Sequence, residues 1–582
     1  MANNLETAPS RGLAQTGSPA PASLRRVLGV GSIIGIVVGT MIGSGIFIVP
    51  ATVAAEVKSP LLMLAVWVVG GLMCIFGALS LAELAGAFSE TGGIYVYLRE
   101  AYGPLVGFLF GWALLLVIDS GTIATLSLAF ATKYLPYFVP LGPAGQKAAA
   151  VLFIFALIGI NYVGVKQGAF VQNLLTVLKF TALSIIVLCI FLFVRGDWGN
   201  LSNPPVSALG GGLVGPFGLA LVAALWAYKG FEVSTFNAGE TKNPSRTVPL
   251  GLIAGCGLVT LLYLVANVAY LYAVPAAEMA KSDRIAATAM KAAVGPVGAS
   301  IVAFIILFSI MGAANGHILT GPRVYYAMAK DGLFFRKMAE IHPRFRTPHV
   351  ALLVVGTWST IICLIPGGTF EQLLKYAVFG AWIFLGLAVF GVVLLRRKRP
   401  DLPRPYKTVG YPVTPILFVL AALFVIVNTL VQSFWNAFAG LALIALGIPA
   451  YLYWNRKRAG QTDGGDGDED PIDGGKGGSS MSPDDSRRYL TIRVLYPKPG
   501  HREDILAAVG RVSEAARKFE GLVEIGAWTD QANDRIVNVS LWESKEQALH
   551  ATAAMHPQFA DIPWSEWERQ PAENFIGLSR AV

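Results

Sequence analysis

Residues 35–47 read GIVVGTMIGSGIF, and residues 225–249 read LWAYKGFEVSTFNAGETKNPSRTVP. Both interrupt apolar stretches long enough to cross a bilayer. A lone GxxxG is commonly a packing device between membrane helices, but Gly35, Gly39, Gly43 and Gly45 crowd one stretch. Each glycine costs about 1 kcal/mol of helix stability relative to alanine, so Gly43-Ser44-Gly45 at mid-stretch predicts an opened helix. The N–H groups freed there, with the positive end of the second half-helix, suit a carboxylate. In the later stretch Gly230 lies at mid-span between Lys229 and Glu232, and the helix ends at Asn243-Pro244. Interruptions at equivalent places in a first and a sixth span predict an inverted-repeat transporter whose site lies where both unwind, with spans one to five pairing with six to ten.

The rest of the chain fits that frame. Of 582 residues, 54% are hydrophobic and 14% charged, with a mean hydropathy of +0.58, which excludes a soluble single-domain enzyme. Apolar runs of about 20 residues, enough to span a hydrocarbon core as helix, occur near 29–49, 60–84, 102–131, 148–166, 171–195, 215–237, 248–274, 298–329, 349–366, 372–396, 412–433 and 435–455. The fold expected is an all-α polytopic membrane protein of twelve transmembrane helices occupying residues 27–458. Residues 1–26 precede it as a disordered cytoplasmic tail; with no apolar core in 1–24, the first span is itself the insertion signal. The even-numbered loops and both ends hold about 22 basic residues against about 7 in the odd loops, which places both termini in the cytoplasm of a plasma-membrane protein.

The net charge of +9 conceals two different objects, +17 over residues 1–458 and −8 over 459–582. It is therefore no basic surface for nucleic acid. Cys74, Cys189, Cys256 and Cys363 lie in apolar stretches with no CxxC spacing and read as small buried hydrophobes, with no metal or disulfide implied. Residues 459–486 are rich in Gly, Asp and Ser and read as a flexible acidic linker. Beyond it, TIRVLY alternates as a strand, EDILAAVGRVSEAARKF is helical, LVEIGAW and RIVNVSLW read as a strand pair, KEQALHATAAM is a helix opened by the capping box Ser544-x-x-Gln547, and a strand falls near Asn574–Leu578. The order β-α-β-β-α-β predicts an α+β ferredoxin-like domain over 487–582.

Ionisable side chains within spans cost about 2.5–3.5 kcal/mol each on insertion scales and are seldom idle. They are Asp119, Lys179, Lys229, Glu232, Glu240 and His317. Asp119 and Lys229 read as a structural pair, and Glu240 and Glu83, near helix ends, as structural. Lys179 lies too deep to snorkel; beside the first break, its ammonium would stand where another transporter binds a cation.

Four motifs in order, GTMIGSGIF, GGIYVYLREAYGPLVGFLFGW at 92–112, WAYKGFE with ETKNPSRTVP, and GHILTGPRVYYAMAKDGLF at 316–334, resemble the amino acid–polyamine–organocation permeases over residues 27–455. The resemblance implies a LeuT-type 5+5 fold, alternating access and an amino-acid substrate at the midplane. It implies that Ile42, Gly43, Ser44 and Gly45 receive the substrate carboxylate. It likewise implies that Trp226, Ala227, Tyr228 and Gly230 receive the α-amine and supply an aromatic gate. Glu232 matches a glutamate linked to proton sensing, and Lys179 a lysine that replaces sodium. Asn315 fits the pattern, whereas His317 stands where small polar residues are more usual and becomes a candidate for selectivity or proton sensitivity. Residues 487–582 are similar, more loosely, to antibiotic-biosynthesis-monooxygenase-like dimeric α+β barrels.

The leading expectation is sodium-independent secondary transport of an amino acid, by proton symport or exchange, with an accessory or sensory cytoplasmic domain and no cofactor. Polyamine or organocation transport, a tail acting as a cofactor-independent monooxygenase, and a transport-silent receptor are the competing readings. In the tail, His501, His550 and His556 read as surface or dimer-interface residues, and Trp528, Trp542, Trp564 and Trp567 as lining an apolar pocket between two copies or as core.

Overall fold

The computed structural model describes residues 24–202, 214–282, 284–365, 370–432, 434–463, 488–530, 535–559, 562–568 and 573–579. They form two compact units, one on each side of residues 467 and 468. In the first, α1 (Val30–Met41) and α2 (Gly45–Val57) are halves of one span bent by 45°. α3 (Pro60–Ala87) and a short α4 (Ile94–Tyr102) follow. The next helical run, Pro104–Tyr137, joins α5 (Pro104–Ala113), a π-helical stretch Leu114–Ile118, α6 (Asp119–Leu128) and a second π-helical stretch Ala129–Tyr134. α7 (Pro143–Val163) and α8 (Val165–Phe193) meet at Gly164, whose φ of 156° only glycine adopts freely. α9 (Val214–Ala227) gives way to a 3-10 helix, Phe231–Glu240, and α10 (Pro244–Ala273). Two short helices, α11 (Ala276–Met279) and α12 (Ile285–Val294), precede α13 (Val297–Thr320), which runs on into α14 (Pro322–Lys330). α15 (His349–Leu364), α16 (Phe370–Lys398), α17 (Val413–Gln432), α18 (Phe434–Ala445) and α19 (Gly447–Asp463) close the unit. Proline opens α3, α5, α7, α10 and α14, where its missing N–H is not needed and its φ suits the first turn.

Among the described residues nine helices are long and apolar enough to span, ten with the bent pair, where hydropathy alone predicts twelve. The two shortfalls have a physical origin. The stretch 215–237 supplies only 14 helical residues before Gly230 ends the helix, and 349–366 yields a helix of 16. Hydropathy counts apolar length and is blind to where backbone bonding stops. α19 also continues to Asp463, five residues into the predicted linker, the rest of which lies outside the described residues, as does the tail up to residue 23.

α1 is held by close approach. A Cβ on Gly35 or Gly39 would meet Asn173 or Gln172 and Thr176 of α8 within 2.3 Å. Gly251 and Gly255, one turn apart on α10, admit Ile33 and Val37 of α1 in the same way. Such small-residue stripes let membrane helices pack where no hydrophobic force separates helix from lipid. The chain just ahead of α1 is stitched to the end of the 3-10 helix: Val27 and Leu28 N–H donate to the Glu240 carbonyl at 2.8 and 3.0 Å, and Lys242 N–H to the Leu28 carbonyl at 2.8 Å. Arg323 of α14 makes a bidentate pair with the Glu240 side chain at 2.7 and 3.0 Å, both fully buried. Glu83 is held by Arg396 and Arg404. Both carboxylates thus have the structural surroundings expected.

In the second unit β1 (Arg488–Leu495), α20 (Arg502–Ala516), β2 (Leu522–Asp530), β3 (Arg535–Trp542), α21 (Lys545–Met555), α22 (Trp564–Trp567) and β4 (Glu573–Ser579) follow in order. The four strands form an antiparallel sheet in the order β2-β3-β1-β4. Tyr489, Leu495, Ile536 and Trp542 face α20 and α21 and make the core. Alternation along the strands sends Leu490, Ile492, Val537, Val539 and Leu541 to the other face, where they are half-buried. Gln547 N–H donates to Ser544 Oγ at 3.3 Å, capping α21. Trp542 is core, its Nε1 donating to Ser540, and the Trp567 ring stacks on His501; the side chains of Trp528, Trp564 and His556 lie outside the described residues.

Candidate functional site

The first helix breaks where its i to i−4 bonding stops. Gly43 N–H turns to the Met41 carbonyl at 2.9 Å rather than back to Gly39, and α2 starts at Gly45. Two sets of backbone groups are left over, as at any helix end. Among the described residues, the N–H groups of Ser44, Gly45 and Ile46 have no backbone acceptor. The Gly39 carbonyl, orphaned on the other side, receives Lys179 Nζ at 2.6 Å. The same ammonium reaches the carbonyls of Ile42 at 2.7 Å and Ser309 at 2.9 Å, and Ser309 Oγ donates to Ile42 as well. Lys179 is 1% exposed and lies along Gly312, where a Cβ would come within 2.8 Å of its Cε.

The second break is built around Gly230, whose φ is 117°. A side chain there would be strained and would also strike the Thr40 backbone at 3.1 Å. Gly230 N–H donates to Glu232 Oε2 at 2.9 Å, Glu232 Oε1 lies 3.5 Å from Lys229 Nζ, and Thr40 Oγ1 donates to the Gly230 carbonyl at 2.8 Å. The two breaks are therefore in direct contact.

Between them lies a cavity of about 70 Å³ lined by Thr40, Met41, Gly43, Ser44, Gly45, Thr122, Thr125, Leu126, Trp226, Ala227, Lys229, Gly230, Ala313 and His317. Seven of the ten residues expected to bind substrate line it. Ile42, Tyr228 and Asn315 do not. Ile42 is buried with its carbonyl taken by Lys179 and Ser309. Tyr228 turns away, its hydroxyl donating to the Trp67 carbonyl at 3.0 Å and its ring packing on Trp67 and Tyr263; of the two aromatic residues, Trp226 is the one at the cavity. Asn315 precedes His317 by two residues, about 200° around the helix, and joins Asn161 and Gln172 in a separate buried polar cluster. Ala313 and His317, four apart, share the cavity face.

The expected Asp119–Lys229 pair is not formed. Lys229 is beside Glu232, and Asp119 Oδ1 is 2.6 Å from His317 Nδ1. These four residues also line a second cavity of about 20 Å³, with Phe110, Val233 and Phe236 among its walls. Sequence reasoning missed Thr40, Thr122 and Thr125, since hydroxyl residues in helices usually bond their own backbone and carry no outward signal. Among the described residues no group of three His, Cys, Asp or Glu is placed to hold a metal ion.

The family model for amino acid permeases matches residues 28–447. The chain is 34% identical over 449 residues to a human b(0,+)-type amino acid transporter 1, covering 75% of this chain and 90% of the relative. It is 31% identical over 441 residues to a Bacillus subtilis serine/threonine exchanger, covering 75% and 98%, and 31% identical over 433 residues to a human cystine/glutamate transporter, covering 73% and 85%.

Proposed function

Because the chain belongs to the amino acid permease family, we propose that this multi-pass membrane protein carries an amino acid by alternating access, at a site between its two broken helices. The observation that carries this reading is the cavity between the breaks, with free N–H donors of Ser44 and Gly45 on one wall and the carbonyl end of α9 at Trp226 and Ala227 on the other. A zwitterion needs a donor end for its carboxylate and an acceptor end for its ammonium, and helix termini supply both in a dry site. The two shorter helices α9 and α15 complete a twelve-span, LeuT-type 5+5 arrangement in this reading, in the plasma membrane with both termini cytoplasmic. Coupling is sodium-independent, with Lys179 as the resident cation, and proceeds by proton symport or exchange. Glu232 and the Asp119–His317 pair are the groups through which a proton would act. The relative named as an exchanger favours exchange.

The membrane body is not an enzyme. For the second unit we propose a ferredoxin-like accessory or sensory domain; its strand order and its one uncovered sheet face support pairing with a second copy through Leu490, Ile492, Val537, Val539 and Leu541. Purified protein in liposomes, preloaded with unlabelled amino acid, is expected to take up labelled amino acid saturably. Uptake that instead tracks an imposed pH gradient with empty vesicles selects symport. Absence of any flux or ligand-induced thermal stabilisation across the common amino acids and polyamines would refute transport at this site.

A further inference from the structure

Two residues that line the cavity, Thr125 and His317, each carry a polar atom with no hydrogen-bond partner among the described residues. Thr125 Oγ1 is buried without a hydrogen-bond partner. His317 Nε2 has none among the described residues, its other nitrogen being taken by Asp119. Of the other hydroxyls lining the cavity, Thr40 Oγ1 shares its one hydrogen between the carbonyls of Ile36 and Gly230, Thr122 Oγ1 donates to Ile118, and Ser44 sits at the helix break itself, as the residue that caps α2. Lys229 is held beside Glu232. Buried polar atoms left without partners are costly and, where they face a cavity, point to a missing occupant.

The surroundings of Asp119 aim it at His317. It begins α6 directly after the π-helical stretch Leu114–Ile118, a rare local winding that shifts the face on which the following residues emerge and recurs at functional sites. It packs on Gly321, where a Cβ would lie 1.9 Å from Oδ2. It is 1% exposed, and Oδ2 has no partner, so the carboxylate engages through Oδ1 with His317 alone. A carboxylate accepts only, so Nδ1 carries the hydrogen, and in the neutral ring Nε2 presents a lone pair to the cavity.

We infer that His317, oriented by Asp119, reads the substrate side chain together with Thr125, and that the site selects an amino acid bearing a small hydroxyl side chain, serine or threonine, over its hydrocarbon counterpart. This rests on the amino-acid reading of the same cavity. A hydroxyl donates its hydrogen to Nε2 and accepts the hydrogen of Thr125, satisfying both wall atoms at once. Valine, the same shape as threonine, leaves both unpaired. Leu126 and Ala313 offer the apolar surface for the threonine methyl. Asp119 is a positioning residue in this scheme.

The test is competition for uptake by the full chain in liposomes, with serine, threonine, alanine and valine as competitors. Threonine is expected to outcompete valine by about 10-fold or more, since a site built around a hydroxyl rejects the analogue lacking it far better than an apolar pocket rejects a size change. Thr125→Val, isosteric and uncharged, should cut that ratio several-fold. His317→Asn keeps a donor near the Nδ1 position so that Asp119 stays paired, removes the atom at Nε2, and should bring the ratio close to one. Asp119→Asn, which can donate to the ring and so reverse its tautomer, should lower the ratio as well. Equal competition by threonine and valine in the wild type overturns the inference while leaving amino-acid transport intact, as does a ratio unmoved by Thr125→Val. Failure of every amino acid to be taken up overturns the underlying reading too.

Discussion

Replacing Lys179 by methionine should abolish transport without unfolding the protein. Methionine has nearly the same length and no donors. Of the three carbonyls the ammonium serves, Ile42 keeps Ser309 Oγ and Ser309 lies within α13, so only Gly39 is left orphaned outright. One unsatisfied buried carbonyl costs about 1–3 kcal/mol, and loss of a buried cation from a helix C-terminus up to about 2 kcal/mol. Against these stands the several kcal/mol that burying an ammonium costs in the first place, which methionine does not incur. Net stability should therefore change little. The preference for the opened first helix, however, loses about 3 kcal/mol, roughly a hundredfold in the population able to bind. Counterflow uptake and thermal unfolding on the same preparation measure both quantities. Gly312→Ala is the control, since its Cβ would come within 2.9 Å of Nζ and displace an ammonium that is still present; it should reproduce the loss. A Lys179→Met protein with half the wild-type flux would refute the clamp.

Gly43→Leu meets nothing closer than the Ala313 Cβ at 3.9 Å. A leucine side chain there would project into the cavity that Gly43 lines, so the variant should fold yet show no ligand-induced rise in melting temperature; a retained rise would place the substrate elsewhere. Gly45→Ala presses on the Ala227 Cα at 3.2 Å and should lose about 1–3 kcal/mol of stability together with flux, read by unfolding and uptake on one sample. Arg323→Met leaves Glu240 buried and unpaired and should cost about 3–5 kcal/mol, with Arg323→Met/Glu240→Leu recovering most of it; a single variant as stable as wild type would show that the pair is idle. Truncation after Asp463, where α19 ends, should leave flux intact, and loss of flux would make the second unit part of the transport machinery.

The broken helices were legible because glycine acts through the backbone, and a backbone effect is local: Gly43, Gly45 and Gly230 announce themselves within a few residues. Lys179 was legible for a related reason, since an ammonium so deep in an apolar run has few partners other than a helix break. What failed was pairing. Asp119 and His317 are 198 residues apart, and nothing near Asp119 in the sequence signals its partner, while the π-helical stretch before it alters the face that simple periodicity assigns. Tyr228 and Asn315 belong to motifs whose neighbours line the cavity, yet one or two positions on a helix turn a side chain by 100° or 200°. The same insensitivity to where hydrogen bonding stops gives twelve spans by hydropathy, where helix length gives nine or ten among the described residues.

The stitching of Val27 and Leu28 to the Glu240 carbonyl makes the entrance to the first broken helix and the exit of the sixth one mechanical part. Any tilt of α1 must carry the Phe231–Glu240 turn with it, and with that turn Glu232, Val233 and Phe236 in the wall of the second cavity. A tug on the chain at residue 27 is thus transmitted to that wall over a few hydrogen bonds. Protein fused or cut ahead of residue 24 should leave turnover unaltered, whereas trimming four residues further would uncouple the two hinges and turn a lever into two loose ends.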